Sequence, residues 1–391
     1  MKIGLLRRSY ITQLDGVSKF IFSLAEGLES LGHEVYVVTW GFHGIESSEE
    51  LSQWSFKMFG VKGRILSLRR KPCKGTPWTR IGFDWYTKGS KLLRELDLDV
   101  VVINGIVPLI FDKRKIAVNH GLYEMHTNRI VRAIAKNLYK DCVRVCVSSK
   151  LAGEFAEFFG LPSKVISLPL KLSMFEPLRL CEREQSILHV GTRQIKNIET
   201  SIEVLRELKK KQKSLKLIIV GAKNENVEKL SEDARKDGLM VETKFSVTIR
   251  ELASLYRRVK ALLLPSRYEA SSYVVLESMA SGTPVVVSRQ IPREVVVNGY
   301  NGFRIESYNP LDYTRALSKL LADDELWTFF SENAVKSVRR FDHIKISEEY
   351  AKLASAAGFD RSNRCDQDTT DAPLFARKDM DLYNEAWNEL T

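Results

Sequence analysis

Short apolar runs alternate with amphipathic helical patterns along this 391-residue chain, and no other feature restricts its fold as strongly. Strands this apolar, each followed by a helical pattern, predict parallel sheets that are covered by helices on both faces. In the first half, the expected strands are Ile3–Leu6, Val35–Thr39, Val100–Ile103, Ile116–Val118 and Val143–Val147, and the expected helices include Ser18–Leu31 and Gly89–Leu96.

The same alternation restarts after an irregular stretch, residues 168–183, which contains Pro169 and Pro177. The chain is also too long for one ordinary core. In the second half, the expected strands are Ser186–Val190, Leu215–Val220, Val241–Phe245, Ala261–Leu264 and Pro284–Val287, and the expected helices are Asn197–Lys213, Asn226–Asp237, Ile249–Arg257 and Ser272–Ser281.

The predicted architecture is α/β, with two doubly wound, Rossmann-like parallel-sheet domains that face each other across a cleft. We expect the domains at residues 1–168 and 184–345. A helix within residues 346–358 is expected to pack back across the seam between them, and residues 359–391 form an acidic tail. Ligands of such folds bind at the carboxyl ends of strands, which predicts a site in the cleft.

Positive charge is concentrated in the first half of the chain. The net charge is +11, and residues 1–170 carry 25 Lys and Arg against 16 Asp and Glu. Residues 51–83 contain no acid and eight basic residues: Lys57, Lys62, Arg64, Arg69, Arg70, Lys71, Lys74 and Arg80. Such a segment attracts anionic lipid, nucleic acid or a phosphorylated substrate, although a solvated basic loop has the same composition.

Several classes of protein are disfavoured by the remaining composition. The N-terminal apolar stretch is too short for a signal peptide, and no apolar run is long enough to span a bilayer, so a cytoplasmic protein is expected. Five scattered cysteines form no CxxC pair, which argues against a disulfide framework. Cys142 and Cys146 lack the His or Cys neighbours of a metal site and are interpreted as packing residues.

The most informative motif runs from Pro265 to Pro284, where a predicted strand ends, a loop carries Glu269, and a helix follows that carries Glu277. The amino end of a helix offers backbone N–H groups and partial positive charge, which suits a diphosphate. Ser271 and Ser272 are good candidates for the helix N-cap.

Two glutamates separated by seven residues, set between Leu-Pro-Ser and Met-Ala-Ser-Gly-Thr-Pro, resemble the signature of the retaining GT-B glycosyltransferases of glycosyltransferase family 4. The resemblance implies that Glu269 binds hydroxyls of the donor sugar and that Glu277 binds the ribose. The family's Gly-Phe-Gly is replaced by Ala270-Ser271-Ser272, and the donor-binding segment continues to Tyr273.

A second motif, from His189 to Asn197, follows the first strand of the second half. Gly191 permits a tight turn, and Arg193 and Lys196 are set to pair with two phosphates. Asn197 is a candidate cap for the next helix. The family resemblance assigns a matching Arg and Lys to the donor diphosphate and the departing nucleotide. The alternative is a solvated basic turn.

Four further residues are site candidates, and the resemblance supports two of them, His120 and Gly16. His120, in Val118-Asn119-His120-Gly121, is a candidate for orienting the reacting groups, although one His in such a loop is more often structural. Gly16 matches a loop that closes over phosphate and acceptor, and a plain N-cap loop fits it nearly as well. Ser246 and Val247 follow a predicted strand and are candidates for lining the base pocket.

No metal or other cofactor is expected. Asp97-Leu98-Asp99 has the spelling of a metal-binding Asp-x-Asp motif, but it precedes a strand instead of following one. Asp379-Met380-Asp381 lies in the tail. With Arg193, Lys196 and a helix N-terminus available, a cation is unnecessary for neutralising a diphosphate.

The resemblance therefore implies retaining transfer of a hexosyl unit from a nucleotide-diphosphate sugar, with UDP favoured, to a hydroxyl acceptor that is a glycan, a lipid-linked group or a small molecule. An anionic membrane surface is a further expected partner, and nucleic acid is not. The alternatives are a GT-B nucleotide-sugar epimerase, a nucleic-acid-binding protein using residues 57–80, and a nicotinamide-dependent dehydrogenase. The dehydrogenase would need a G-x-G-x-x-G turn, which the first strand lacks.

Overall fold

The computed structural model describes residues 1–11, 15–42, 48–69, 78–122, 129–210 and 214–356. The chain divides into two compact units. Among the described residues, the first unit contains residues 1–171 and 340–356, and the second contains residues 172–339. The acidic tail expected at 359–391, and with it Asp379-Met380-Asp381, lies outside the described residues.

The first unit is built on a parallel sheet of seven strands in the order β3-β2-β1-β4-β5-β6-β7. Its strands are β1 (Lys2–Ile11), β2 (Glu34–Phe42), β3 (Arg64–Ser67), β4 (Val100–Asn104), β5 (Arg114–Asn119), β6 (Val143–Cys146) and β7 (Lys164–Val165). Its helices begin with α1 (Gly16–Ser30), α2 (Ser48–Phe59), α3 (Trp78–Asp84), a π turn (Trp85–Gly89), α4 (Ser90–Glu95), α5 (Arg129–Lys140) and α6 (Ser149–Phe159).

The second unit contains a parallel sheet of six strands in the order β10-β9-β8-β11-β12-β13. Its strands are β8 (Glu184–Val190), β9 (Lys216–Gly221), β10 (Val241–Phe245), β11 (Val259–Leu264), β12 (Val285–Ser288) and β13 (Phe303–Ile305). Its helices are α7 (Ile198–Lys209), α8 (Glu225–Lys236), α9 (Ile249–Arg258), α10 (Tyr273–Ala280), α11 (Pro310–Ala322) and α12 (Asp324–Val338).

Buried apolar side chains hold both sheets together. The central strands are covered on both faces, so that the side chains of Leu5, Val102, Leu217 and Leu263 are fully buried or nearly so. In each sheet the strand order reverses beside the first strand of the unit, β1 or β8. The loops at the carboxyl ends of these strands are where an open parallel sheet binds its ligands.

The last described helix, α13 (His343–Ser355), begins before the predicted range 346–358 because Asp342 supplies its cap, accepting a hydrogen bond from Ile344 N at 3.0 Å. This helix belongs to the first unit and packs on α1. Ser347 Oγ donates to Leu24 O, and a β-carbon at Gly27 would lie 2.7 Å from His343 O. The pairing therefore requires a glycine on α1.

The three strands that the sequence did not predict, β3, β7 and β13, are two to four residues long and lie at sheet edges, where the apolar signal is weakest.

Within the part of the chain that the structure describes, no helix is both long enough and apolar enough to cross a bilayer.

Candidate active site

Two loops of the second unit, which follow β8 and β11, are joined to each other at the carboxyl edge of the sheet. Arg267 N donates to Ile195 O at 2.8 Å, and Asn197 Nδ2 donates to Pro265 O at 3.1 Å. Asn197 was predicted to cap α7 with its side chain, and this prediction is wrong. The residue occupies the N-cap position with a left-handed backbone (φ 60°), but its amide is used to hold the neighbouring loop.

These joined loops bring Lys196 and Glu269 together. Lys196 Nζ lies 2.5 Å from Glu269 Oε1, and Ser266 Oγ donates to the same oxygen at 3.0 Å. Glu269 is buried. A buried carboxylate needs such partners, since an uncompensated charge away from water is costly. Two residues that are 73 positions apart in the sequence thus form one charged centre.

Gly191 lies beneath the aliphatic stem of Lys196. Its φ of +117° is unfavourable for residues with a β-carbon, and a β-carbon there would lie 2.7 Å from Lys196 Cγ. Glycine is therefore required both by the backbone conformation and by the close approach of the lysine.

The second predicted carboxylate, Glu277, lies on the buried face of α10, and its Oε2 accepts a hydrogen bond from Tyr256 OH at 2.9 Å. Burial and the nearby carboxylate raise the pKa of Tyr256 well above its usual value, so the phenol stays protonated and donates. Tyr256 was not singled out from the sequence, because a tyrosine on the buried face of an amphipathic helix, here α9, carries no signal beyond that of a core residue.

The amino end of α10 differs from the prediction in one respect. Ser272 occupies the N-cap position, but its side chain makes no capping bond, and its buried Oγ has no hydrogen-bond partner among the described residues. Ser271 is half-buried, whereas Ala270 and Tyr273 are buried. The helix therefore begins at Tyr273 without the side-chain cap that the serines were expected to supply.

Arg193 is exposed and is the N-cap residue of the 3-10 turn Gln194–Lys196, and within the described chain it has no ion-pair partner. The predicted base-pocket positions lie at the end of β10. Ser246 has a left-handed backbone (φ 58°) and donates from its N–H to Gly221 O at 3.2 Å, and Val247 is half-buried. Both lie at the carboxyl ends of the strands of this sheet, as the Lys196–Glu269 pair does.

His189, which opens the second motif, has a structural role. Its Nδ1 lies 2.8 Å from Ser201 Oγ and its Nε2 lies 3.2 Å from Gly191 O, so Nε2–H donates and Nδ1 accepts. Burial, followed by the charge of Lys196, lowers its pKa to about 3. The ring is neutral and fixes the start of the turn that carries Lys196.

In the first unit, His120 follows β5 and its Nε2 lies 2.9 Å from Asn104 Oδ1. Because Asn104 Nδ2 donates to Leu6 O at 3.2 Å, the amide oxygen accepts from the His120 Nε2–H. Burial, followed by the charge of Arg7, lowers the pKa of His120 to about 3. The ring also packs edge-on against Phe20, with centroids 4.7 Å apart. His120 is therefore a neutral, oriented imidazole.

Gly16 is exposed at the first position of α1, and Asp15 caps this helix by accepting from Ser18 N at 2.9 Å. Asp15 also pairs with Arg7 at 2.8 Å. The preceding residues Gln13 and Leu14 lie outside the described chain. Gly16 thus lies at the carboxyl edge of the first sheet, next to a cap that is fixed by an ion pair.

The Asp97-Leu98-Asp99 segment lies at the opposite edge of that sheet. Asp99 Oδ2 accepts from Lys2 N at the start of β1, and Asp97 pairs with Lys113 at 2.8 Å. The described ranges contain no group of three or more His, Cys, Asp or Glu arranged to hold a metal ion. Cys142 and Cys146 are buried around β6, where burial raises the pKa of each thiol to about 12.

The basic segment of the first unit is partly structural. Arg69 pairs with the buried Asp84 at 2.7 Å, and this carboxylate also accepts from Trp40 Nε1 at 2.8 Å. Four of the predicted cations are exposed: Lys57, Lys62, Arg64 and Arg80. Arg70, Lys71 and Lys74 lie outside the described residues.

Sequence reasoning also missed Arg183, a buried arginine just before β8. Its guanidinium donates to backbone oxygens of Leu178, Val259, Ser281 and Gly282 and lies over the ring of Trp327 at 4.8 Å. Burial lowers its pKa to about 10, which still leaves it charged at neutral pH. It ties the carboxyl end of α10 to the neighbouring elements, so the helix that carries Glu277 is anchored at that end.

Comparison with known proteins places both units in one class. Residues 14–170 match the model described as Glycosyltransferase Family 4, and residues 173–337 match the model described as Glycosyl transferases group 1. Among solved structures, sucrose-phosphate synthase from Thermosynechococcus elongatus has a TM-score of 0.74 at 16% identity, covering 90% of this chain and 98% of that one. Anabaena HepE, solved with UDP-glucose, has a TM-score of 0.70 at 15% identity, covering 91% and 99%.

Among curated relatives, an uncharacterized glycosyltransferase of Haemophilus influenzae is 26% identical over 276 residues, which is 67% of this chain and 78% of that protein. The D-inositol 3-phosphate glycosyltransferase of Corynebacterium kroppenstedtii is 35% identical over 92 residues. That match covers 23% of this chain and spans only 20% of the relative's length.

The two parallel-sheet units define a glycosyltransferase of the GT-B fold. The chain belongs to the glycosyl transferases group 1, with the family 4 type of N-terminal unit.

Proposed function

We propose that this enzyme transfers a hexosyl unit from a nucleotide-diphosphate sugar to a hydroxyl acceptor with retention of configuration. The observation that carries the proposal is the Lys196–Glu269 pair, at the carboxyl edge of the second sheet between Gly191 and the amino end of α10. A cation, a helix N-terminus and a buried acid in one place suit the diphosphate and the sugar of a nucleotide-sugar.

In this proposal, Lys196, Arg193 and the amides at the start of α10 stabilise the negative charge that develops on the departing diphosphate. The bond between the sugar C1 and the β-phosphate oxygen breaks, and the acceptor oxygen bonds to C1 on the same face. A diphosphate oxygen takes the acceptor proton. Glu269 binds hydroxyls of the donor sugar, Glu277 binds the ribose, and Ser246 and Val247 line the base pocket.

Uridine is the proposed base, which the solved complexes of similar proteins support: HepE was solved with UDP-glucose and TarM with UDP. The first unit is proposed to bind the acceptor, and His120 is its proposed orienting residue. The neutral His120 ring supplies a hydrogen-bond acceptor at Nδ1. Gly16 is proposed to contact phosphate from the loop at α1. Metal independence is part of the proposal, and transfer at full rate in EDTA is the expected result.

A panel of nucleotide-sugars, scored by thermal shift and then by product formation, tests this function. UDP-hexoses should raise the unfolding temperature, and NMR of the product should show the anomeric configuration of the donor. The proposal would be contradicted if no nucleotide-sugar stabilised the protein, or if the product had the inverted anomeric configuration. Product formed from the nucleotide-sugar without any acceptor would indicate an epimerase.

An anionic membrane surface is proposed as a partner of the first unit, on the basis of the exposed cations Lys57, Lys62, Arg64 and Arg80. The same unit also exposes the aromatic side chains of Phe83 and Tyr86. Cosedimentation should be stronger with vesicles containing phosphatidylglycerol than with phosphatidylcholine alone, and weaker for Phe83→Ala. Phe329→Ala in the second unit, which removes a similarly exposed ring, is the matched control. Equal binding to both vesicles would remove this partner.

A further inference from the structure

A buried tyrosine is hydrogen-bonded to the carboxylate that the proposed function assigns to the ribose. Tyr256 OH lies 2.9 Å from Glu277 Oε2, and the two residues belong to different helices, α9 and α10. Tyr256 is fully buried and Glu277 is 3% exposed. Water therefore competes little for this hydrogen bond, and a hydrogen bond to a charged acceptor is stronger than one between neutral groups.

The position of Tyr256 is fixed at its backbone as well as at its phenol. Its carbonyl oxygen accepts from Thr283 Oγ1 at 2.5 Å and from Arg183 Nη1 at 3.4 Å. Its ring packs edge-on against Phe175, with centroids 6.5 Å apart. Thr283 and Arg183 also contact each other, so the segment that follows α10 and the end of α9 are held as one assembly.

A glutamate has three side-chain torsions, and fixing them when a ligand binds costs conformational entropy. A donor that already holds one carboxylate oxygen removes part of this cost, because the carboxylate is oriented before the ligand arrives. The raised pKa of Tyr256 keeps its proton in place, so the phenol is a hydrogen-bond donor at neutral pH.

We propose that Tyr256 is a positioning residue that holds Glu277 Oε2, so that the Glu277 carboxylate is oriented to accept hydrogen bonds from the ribose hydroxyls of the bound nucleotide. This inference rests on the proposed function, since it requires a nucleotide at Glu277. The inference adds Tyr256 of α9 to the nucleotide site. By orienting Glu277, Tyr256 allows the site to distinguish the ribose from sugars that lack these hydroxyls.

Calorimetric titration with UDP and with 2′,3′-dideoxy-UDP tests the proposal in the full-length protein. For the wild type, removing both ribose hydroxyls should weaken binding about tenfold or more. Tyr256→Phe should weaken UDP binding by about tenfold and leave dideoxy-UDP binding within about twofold of wild type, because the misplaced carboxylate affects only ligands that have the hydroxyls.

Tyr313→Phe is the matched control, since Tyr313 is equally buried in the same unit and its OH donates to Ser307 O at 3.1 Å. It should bind both nucleotides as the wild type does. Equal weakening of both nucleotides by Tyr256→Phe, or no weakening of either, would overturn the positioning role. A wild type that binds UDP and dideoxy-UDP equally would also overturn it while leaving the diphosphate site intact. A wild type that binds neither nucleotide would contradict the proposed function itself.

Discussion

Lys196 Nζ lies 2.5 Å from Glu269 Oε1, so the cation that follows β8 and the acid that follows β11 neutralise each other within one unit. The pair is mostly buried, with side-chain exposures of 12% and 9%. A diphosphate that binds to Lys196 must therefore either displace the Glu269 carboxylate from the lysine or share the lysine with it. This arrangement keeps the lysine oriented at the sheet edge in the absence of ligand.

Glu269→Gln should reduce the transfer rate by about 10²- to 10³-fold, because a contact that stabilises the transition state is lost. The affinity for UDP should stay the same or increase, since Lys196 loses its competing carboxylate. Initial rates and calorimetry with UDP measure the two effects. Glu184→Gln, which removes an exposed partner of Arg258, is the control. A transfer rate within threefold of wild type for Glu269→Gln would contradict the assignment.

Gly191→Ala should disturb Lys196 directly. The new β-carbon would lie 2.7 Å from Lys196 Cγ, at a φ of +117°. Gly299→Ala is the matched control, because Gly299 also has a positive φ (+79°) but no heavy atom within 4 Å of an added β-carbon. Both variants should lose about 1–3 kcal/mol of unfolding free energy from backbone strain. Transfer activity should fall only for Gly191→Ala, and equal activities would show that the contact with Lys196 is unimportant.

The two-sheet architecture could be predicted from the sequence because apolar runs and helical patterns alternate along the whole chain. The five main strands of each sheet were located by this pattern. The shorter edge strands β3, β7 and β13 were not, since two to four residues give no periodicity.

Motif spelling singled out Lys196, Glu269 and Glu277 as site candidates, whereas the residues that contact them could not be found in this way. Tyr256 and Arg183 contact the site only through tertiary packing. Asn197 and Ser272 fitted the rules for side-chain caps, but the competing carbonyl of Pro265 holds Asn197, and Ser272 makes no capping bond. At Asn197, local propensity was therefore overridden by a contact with a neighbouring loop.

Arg183→Lys should destabilise the enzyme by about 3–5 kcal/mol, because a lysine cannot satisfy the several carbonyl oxygens that the guanidinium reaches. Urea denaturation measures this loss. Arg258→Lys, at an exposed pair with Glu184, should change stability by less than about 1 kcal/mol. Similar losses for the two variants would contradict the structural role of Arg183.

The stability of the enzyme should fall with decreasing pH because of His189. Its folded-state pKa of about 3 is below the ordinary value of 6.5, so the unfolded chain binds more protons between these two values. The contribution of His189 to stability is therefore complete above pH 6.5 and is lost as the pH falls toward 3, by up to about 1.4 kcal/mol per pH unit. Urea denaturation of wild type and His189→Gln at pH 7 and 5 measures this. An unchanged pH dependence in the variant would contradict the assignment.

The most direct test of the account is the single-turnover rate of donor cleavage by Lys196→Ala, measured at saturating UDP-sugar and compared with Lys223→Ala, which alters an exposed lysine of the same unit. If Lys196 stabilises the charge on the departing diphosphate, its removal should slow the reaction by about 10²-fold or more, while Lys223→Ala reacts at the wild-type rate. Cleavage by Lys196→Ala at the wild-type rate, with the donor bound as tightly as before, would contradict the central claim.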